Sequence, residues 1–480
     1  MSFSVSKRRS LAALLLILTT VLSCLCACQP AVSDEGDSQT EYAPETLEED
    51  TRVITDTGSY LSRLNNAFSG ISDTTAEQLI YTTDESGVTL TGYAGEDTVV
   101  ILPSEIDGLP VVAVKSEAFA GSVIHALSIP DTVTRIGKGA LKGCNKLTTL
   151  RTPLCTGGSE ADSAYFGYLF GASSYEINGG SVPASLTTLI LTAPLSEIPA
   201  YAFYGCNDIT ALSIPDTVTK IGEFAFASCS SLGCFSASQR LTSLGDYAFE
   251  SCSALVSAEM PATVTRIGFG AFQGCASLEW LTLPFVGETK EDNTYLGYLF
   301  GASAYTFTEG FLPASLIKVT LKEGCTSIPD NAFCFASPLR SVELPASCQT
   351  VGRRAFYGCK RLSEADLTHV TTVGDSAFFA CISLSEVTLG DGLTALGIQA
   401  FYDCISLKEI TLPNSLTAIP ASCFDGCIAL SRVSWGSGLT TIGKNAFRRC
   451  DSLFQPDCAP DVDGITVEGG NAAILPPGSH

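Results

Sequence analysis

A unit of 23 residues recurs through most of the chain. It reads P-x-[ST]-[VL]-T-x-I-G-x-x-A-F-x-G-C-x-x-L-x-x-[IVL]-x-[IL]-P. Its anchor falls at Phe119, Leu141, Phe203, Phe226, Phe249, Phe272, Phe333, Phe356, Phe378, Phe401, Phe424 and Phe447. Successive anchors lie 22 or 23 residues apart, except for 62 from Leu141 to Phe203 and 61 from Phe272 to Phe333. A fixed period in this range specifies a stacked repeat, because one such unit cannot bury its apolar face alone.

The stretch from Pro261 to Pro284 shows how one unit folds. Its apolar residues are Val264, Ile267, Ala271, Phe272, Cys275, Leu278, Leu281 and Leu283. Their spacings of two and three fit neither a long helix nor a period-2 strand. They fit a chain that coils once per unit and points a ring of side chains inward. The L-x-x-L-x-L piece is expected to hold the strand, stacking in parallel about 4.8 Å from its neighbours. The closing Pro, lacking an N–H, ends the ladder. Gly268 is expected at a turn of unusual φ. The expected fold is a right-handed repeat solenoid of about twelve units of 23 residues, rich in parallel stacked strands.

These motifs resemble the BspA-type leucine-rich repeats of bacterial and some protist surface proteins. "IPDTVTRIGKGALKGCNKL", "IPDTVTKIGEFAFASCSSL" and "LTTIGKNAFRRCDSL" carry that family's spacing of Ile-Gly, Ala-Phe, Cys and Leu. The resemblance runs from about residue 85 to 454, and Val88 to Phe119 is similar to the family's opening repeat. It implies an exported protein and adhesion to host proteins, cells or other microbes. The family shares no catalytic residues, so none is carried over. Leu141, Ser122, Ala336, Cys348 and Cys423 depart from the pattern as tolerated core variation.

Residues 1–27 combine Lys7, Arg8 and Arg9 with an apolar run from Leu11 to about Leu22, as a secretory signal does. That run falls short of the about 20 residues of a membrane span. Leu25-Cys26-Ala27-Cys28 resembles a bacterial lipobox, with cleavage before Cys28 and a lipid attached to it. Cys24 is an alternative site, and an ordinary signal peptide with incidental cysteines is another reading. Residues 28–75 open on Asp34, Glu35, Asp37, Glu41, Glu45, Glu48, Glu49 and Asp50, with no basic residue before Arg52. They read as a disordered acidic tether. The solenoid is expected over 76–454, and a tail over 455–480.

The formal charge is −23. Cleavage after residue 27 removes three basic residues and no acid, giving −26. Such a chain repels nucleic-acid phosphates, so no nucleic-acid partner is expected. Ten of its 20 cysteines sit three residues after the anchor, from Cys144 to Cys450. A residue repeated once per coil forms an internal ladder, where free Cys acts as a small buried hydrophobe. Bridges between rungs would be strained; Cys325, Cys334 and Cys348 are the alternatives for pairing. No metal or cofactor site is expected: Cys423 and Cys427 are repeat slots, and Pro460 to Gly464 lacks most of a calcium loop. His125, His369 and His480 accompany no nucleophile motif. No enzymatic activity is expected.

Two features interrupt the repeats. Insertions at about 154–185 and 285–315 resemble each other, "YFGYLFGASSYEINGGSVPASL" against "YLGYLFGASAYTFTEGFLPASL". They are expected as β-hairpin-like excursions. Their aromatics, including Tyr168, Phe170, Tyr298 and Phe300, either line a binding face or pack on their own coil. The second feature is the outward strand face, which should carry Trp280, Glu343, Glu364, Asp366, Glu386 and Glu409, along with Arg151 and Arg432. The reading that follows is a monomeric surface lipoprotein, held to the membrane through Cys28, that binds an extracellular protein or glycan in adhesion. An envelope scaffold holding another envelope protein is the alternative, and a carbohydrate-active enzyme a remote one.

Overall fold

The computed structural model describes residues 68–153, 164–192, 194–453 and 464–474. The expected signal segment, Cys28, most of the tether, Cys24, Cys155, Cys458, His480 and residues 460–463 lie outside them.

Each 23-residue unit makes one turn of a solenoid with two short strand pieces. In the unit from Pro261 these are Arg266–Ile267 and Trp280–Leu283. The second is the expected L-x-x-L-x-L strand, and the first was not anticipated. Both stack in parallel with their repeat equivalents: Ser243 pairs with Arg266, and Ser257 with Trp280, which in turn pairs with Lys318. About sixteen turns result, more than the twelve counted from anchors. An anchor count misses the opening turn, where Tyr93 rather than Phe lies 5.9 Å from Phe119. It also misses the turn inside each insertion. At the far end, Thr466–Val467 joins the ladder beside Thr441–Ile442 and the Asn471 amide accepts the Phe447 N–H, so part of the expected tail caps the stack.

The repeated letters have separate physical duties. All eight apolar positions of the Pro261 unit are buried. The anchor rings stack nearly parallel, 5.1 Å from Phe203 to Phe226 and 4.9 Å from Phe356 to Phe378. The repeated Thr donates its hydroxyl to the backbone one turn back, as Thr242 does to Thr219 O at 2.9 Å. Nine of the ten ladder thiols donate likewise to an anchor carbonyl, as Cys252 does to Phe226 O and Cys404 to Phe378 O. That bond favours a small residue with a weak donor in the slot, although Ala336 fills it in one turn. All described ladder thiols are free, as are Cys325, Cys334 and Cys348. Gly268 owes its place to close stacking and not to an unusual φ: a Cβ there would lie 2.3 Å from Asp246 N.

The insertions are helical turns, not hairpins. Short 3₁₀ segments, Phe166–Phe170 and Leu296–Phe300, each end at a left-handed glycine, Gly171 (φ 96°) and Gly301 (φ 91°). Single turns of α-helix follow at Asn178–Ser181 and Thr308–Phe311. Strand-like pairing within the second insertion is confined to a tight turn in which the Glu288 N–H reaches Asn293 O. The apolar spacing Phe166, Leu169, Phe170 is the i, i+3, i+4 signature of a helical face. Each insertion slots into the stack as a turn: Leu141 donates to Leu169 O and Phe166 to Ala202 O, and equivalently Phe272 to Leu299 O and Leu296 to Ala332 O. Strands resume in register beyond, Thr149 beside Thr188 and Trp280 beside Lys318.

Candidate binding surface

The outward residues of the longer strands form the surface on which a ligand could lie. It changes character along the stack. The first sheet is continuous over five strands, from Val99–Ile101 through Ala126–Ser128, Thr149–Thr152 and Thr188–Leu191 to Ala211–Ser213. Its outward face is partly covered by the chain itself. Phe68 packs on Ile190 and Ala211, while Thr74 exchanges bonds with edge residue Ile101 (Thr74 N to Ile101 O, 2.7 Å; Ile101 N to Thr74 Oγ1, 3.1 Å). The segment opens on a turn at 68–70, and its two ends touch opposite sides of the five-stranded sheet. The segment therefore runs across the strands. Ile190 and Ala211 are buried although they point outward.

The next sheet, from Cys234–Ser236 to Ser341–Glu343, is also continuous. Its charged residues are paired: Lys318 with Glu343 at 2.6 Å and Lys322 with Glu259 at 2.6 Å. Trp280 is half-buried in this sheet, in register between Ser257 and Lys318.

Beyond Glu343 the ladder lapses twice. Glu364–Leu367 pairs with Glu386–Leu389, but this pair joins neither Ser341–Glu343 before it nor Glu409–Thr411 after it. Each seam parts repeat-equivalent carboxylates, Glu343 from Asp366 and Glu386 from Glu409. A groove opens over each seam. The first, of about 310 Å³, is lined by Ser341, Val342, Glu343, Glu364, Asp366 and Glu386, among others. The second, of about 440 Å³, is lined by Glu386, Val387, Thr388, Lys408 and Glu409 beside Ser385.

Within the intact pair, Glu364 sits in register with Glu386. Glu364, Asp366 and Glu386 are exposed and form no ion pair among the described residues. The Asp366 carboxyl is held below its ordinary range by the Thr368 hydroxyl, then by the Thr368 N–H. Burial pushes Glu343 upward, but its bonds from Lys318 and Thr320 outweigh that and leave it lowered. Glu409 meets Arg432 at 3.5 Å, both well exposed.

The structure thus brings together the five carboxylates expected on this face and separates them from the insertion aromatics. Phe170, Tyr298 and Phe300 are buried in the core, and Tyr168 is half-buried beside Tyr165. Phe170, Tyr298 and Phe300 fill the interior of the turns that carry them and do not form a binding face, whereas Phe307 and Phe311, at the far end of the second insertion, are exposed. Arg151 is half-buried and reaches Ser128, while Arg432 is exposed.

Sequence reasoning missed two arrangements. One is the pair of seams, since strand pairing is not encoded in the period. The other is a second set of stacked rings outside the core: Tyr175, Tyr201, Phe224 and Tyr247 at 4.3, 5.2 and 4.9 Å, and Tyr357, Phe379 and Tyr402 at 4.7 and 4.6 Å. The spacing of 22 or 23 residues within Tyr201, Phe224 and Tyr247 and within Tyr357, Phe379 and Tyr402 was the available signal. Their faces cover one another, which leaves edges to solvent. Among the described residues no cluster of three or more metal-binding side chains forms, and no helix is long and apolar enough to cross a membrane.

The sequence profile of the BspA type leucine-rich repeat region matches residues 111–167, 183–295, 305–394 and 367–466, in six copies. The chain belongs to the BspA-type leucine-rich repeat family. Among solved structures, a leucine-rich repeat protein from Bacteroides ovatus is 24% identical, covers 80% of this chain and 93% of its own, and has a TM-score of 0.37. A leucine-rich cell surface protein from Faecalibacterium prausnitzii is 24% identical over 76% of this chain and 94% of its own, with a TM-score of 0.28. A leucine-rich repeat protein of T. pallidum is 20% identical over 70% and 91%, with a TM-score of 0.20. No curated protein matches the chain.

Proposed function

We propose that this BspA-type chain is an exported lipoprotein, cleaved before Cys28 and acylated there. Its acidic segment tethers a monomeric solenoid that binds an extracellular protein in adhesion. The observation that carries this reading is the open strand face from Ser341 to Thr411, with its two grooves and unpaired carboxylates. Repeat stacks present long ordered surfaces of this kind for binding. The sequence supports export through Lys7, Arg8, Arg9, the apolar run after them and the Cys28 lipobox.

Two experiments test it. Cells expressing the chain are labelled with palmitate, and the label should disappear in Cys28→Ser; a label that persists there removes the anchor. The purified full chain, held in detergent, is screened against arrayed matrix proteins, glycans and extracts of the producing cell's own envelope. Saturable binding to an extracellular protein is expected. Binding confined to the producer's envelope would instead support a scaffold.

A further inference from the structure

Taking the open strand face as the binding surface just proposed, we infer that its partner presents an extended, lysine- or arginine-bearing segment of about six residues, laid across the strands. Three observations on different parts of the molecule converge on that chemistry.

The first is charge without a counterpart. Glu364, Asp366 and Glu386 stand exposed on one face and form no ion pair among the described residues, although Lys408 lines the second groove with Glu386, and Glu364 and Glu386 occupy paired positions on adjacent strands. Like charges so placed destabilise a sheet, and a cationic side chain between them removes that cost. The second is the shape of the surface. The grooves lie over seams where the ladder has lapsed, and Val342, Leu344 and Val387, which pack against the core, line them below the carboxylates. In an extended segment with basic side chains on one side and aliphatic ones on the other, the basic groups would meet the carboxylates and the aliphatic ones would enter the grooves. The third is the chain's own Phe68 to Thr74, which lies across the first sheet in the same crosswise manner, seated by one apolar side chain and by bonds at the edge strand. The four strands from Ser341–Glu343 to Glu409–Thr411 are three spacings, about 14 Å, which about four or five extended residues cross, so a segment of about six spans both seams.

The same charges exclude two other occupants. Residues 29–51 of this chain carry acids and no base, and a second copy carries the same formal −23. Both would be repelled.

The test uses the full chain in detergent and a fluorescent hexapeptide alternating lysine and valine, with its glutamate–valine counterpart. Binding is followed by anisotropy for the wild type, for Glu364→Gln/Glu386→Gln, and for Glu77→Gln/Glu96→Gln on exposed positions far from the grooves. Saturable binding of the lysine peptide alone is expected. It should weaken at least about tenfold in the first variant and stay within about twofold in the second. Equal affinity in all three proteins, an equal loss in both variants, or no binding by the wild type would each overturn the inference. Circular dichroism confirms that both variants fold. If Glu364→Gln/Glu386→Gln captures the wild type's extracellular protein undiminished, the surface-binding reading stands and the basic-segment inference falls. If the peptide binds as expected while no extracellular protein is captured, the reverse holds.

Discussion

The two ends of the strand face differ in what covers them. From Val99 to Ser213 five strands pair without interruption, and the chain lays its own residues 68–74 across them. From Ser341 to Thr411 four equivalent strands split at two seams, carry unpaired acids and lie open. The core beneath is built alike in both, with a column of anchor side chains, mostly Phe, and, in the regular turns, a thiol ladder broken only where Ser122 and Ala336 replace Cys. One period can thus build a uniform interior while the outward positions, free of packing constraint, diverge. In this family member the core specifies the solenoid, and the outward positions, together with the strand pairing, distinguish one segment from another.

Four perturbations test that contrast. The largest effect is expected from alkali, which acts on the shared core. Burial pushes Cys144 and Cys348 up to about 11, and Cys275 and Cys450 up to about 12, against an ordinary value of 9.0. These thiols stay protonated in the folded chain after the unfolded chain has begun to ionise. Their contribution is complete below about pH 9 and is lost as pH rises toward 12, each unit of difference being about 1.4 kcal/mol. Thermal melts from pH 8 to 11.5 should show Tm falling steeply above 9; a flat profile would refute the buried thiol column.

Next come the anchors. Phe249→Ala, under the continuous sheet, and Phe378→Ala, under the split one, should each cost about 3–5 kcal/mol in urea melts, since both rings are fully buried. A much smaller cost at Phe378 would mean that the seams loosen the core as well as the surface. Phe68→Ala should cost about 1–2 kcal/mol, because its ring is only partly buried over Ile190 and Ala211. Faster amide exchange in 188–191 and 211–213 should accompany it, and unchanged exchange would deny the covering role. The smallest effect is a gain: Glu364→Gln/Glu386→Gln should raise stability by about 0.2–1 kcal/mol by removing a paired repulsion. A loss there would mean that these carboxylates support the fold.

What the sequence disclosed follows this division between core and surface. The period, the anchors and the thiol ladder were legible because every turn repeats them. The outward carboxylates were legible too, since L-x-x-L-x-L fixes which positions point away from the core. The insertion aromatics were ambiguous. Phe166, Leu169 and Phe170 carry helical spacing within a strand-rich context, and their burial depends on neighbours such as Phe203, 5.0 Å from Phe166. The turn count fell short because Phe marks a turn only where the ring column needs one. Seams and the Phe68 cover were invisible because both depend on contacts between segments that share no motif.

The most direct measurement of the central claim is hydrogen–deuterium exchange of the full chain, with and without the lysine–valine peptide. The acidic strand face, as the binding surface, should show slowed exchange confined to 341–344, 364–367, 386–389 and 409–411, with 295–311 and 99–213 unchanged. Protection centred on 295–311, or spread evenly over the chain, would contradict the account and return the binding face to the insertions or to bulk charge.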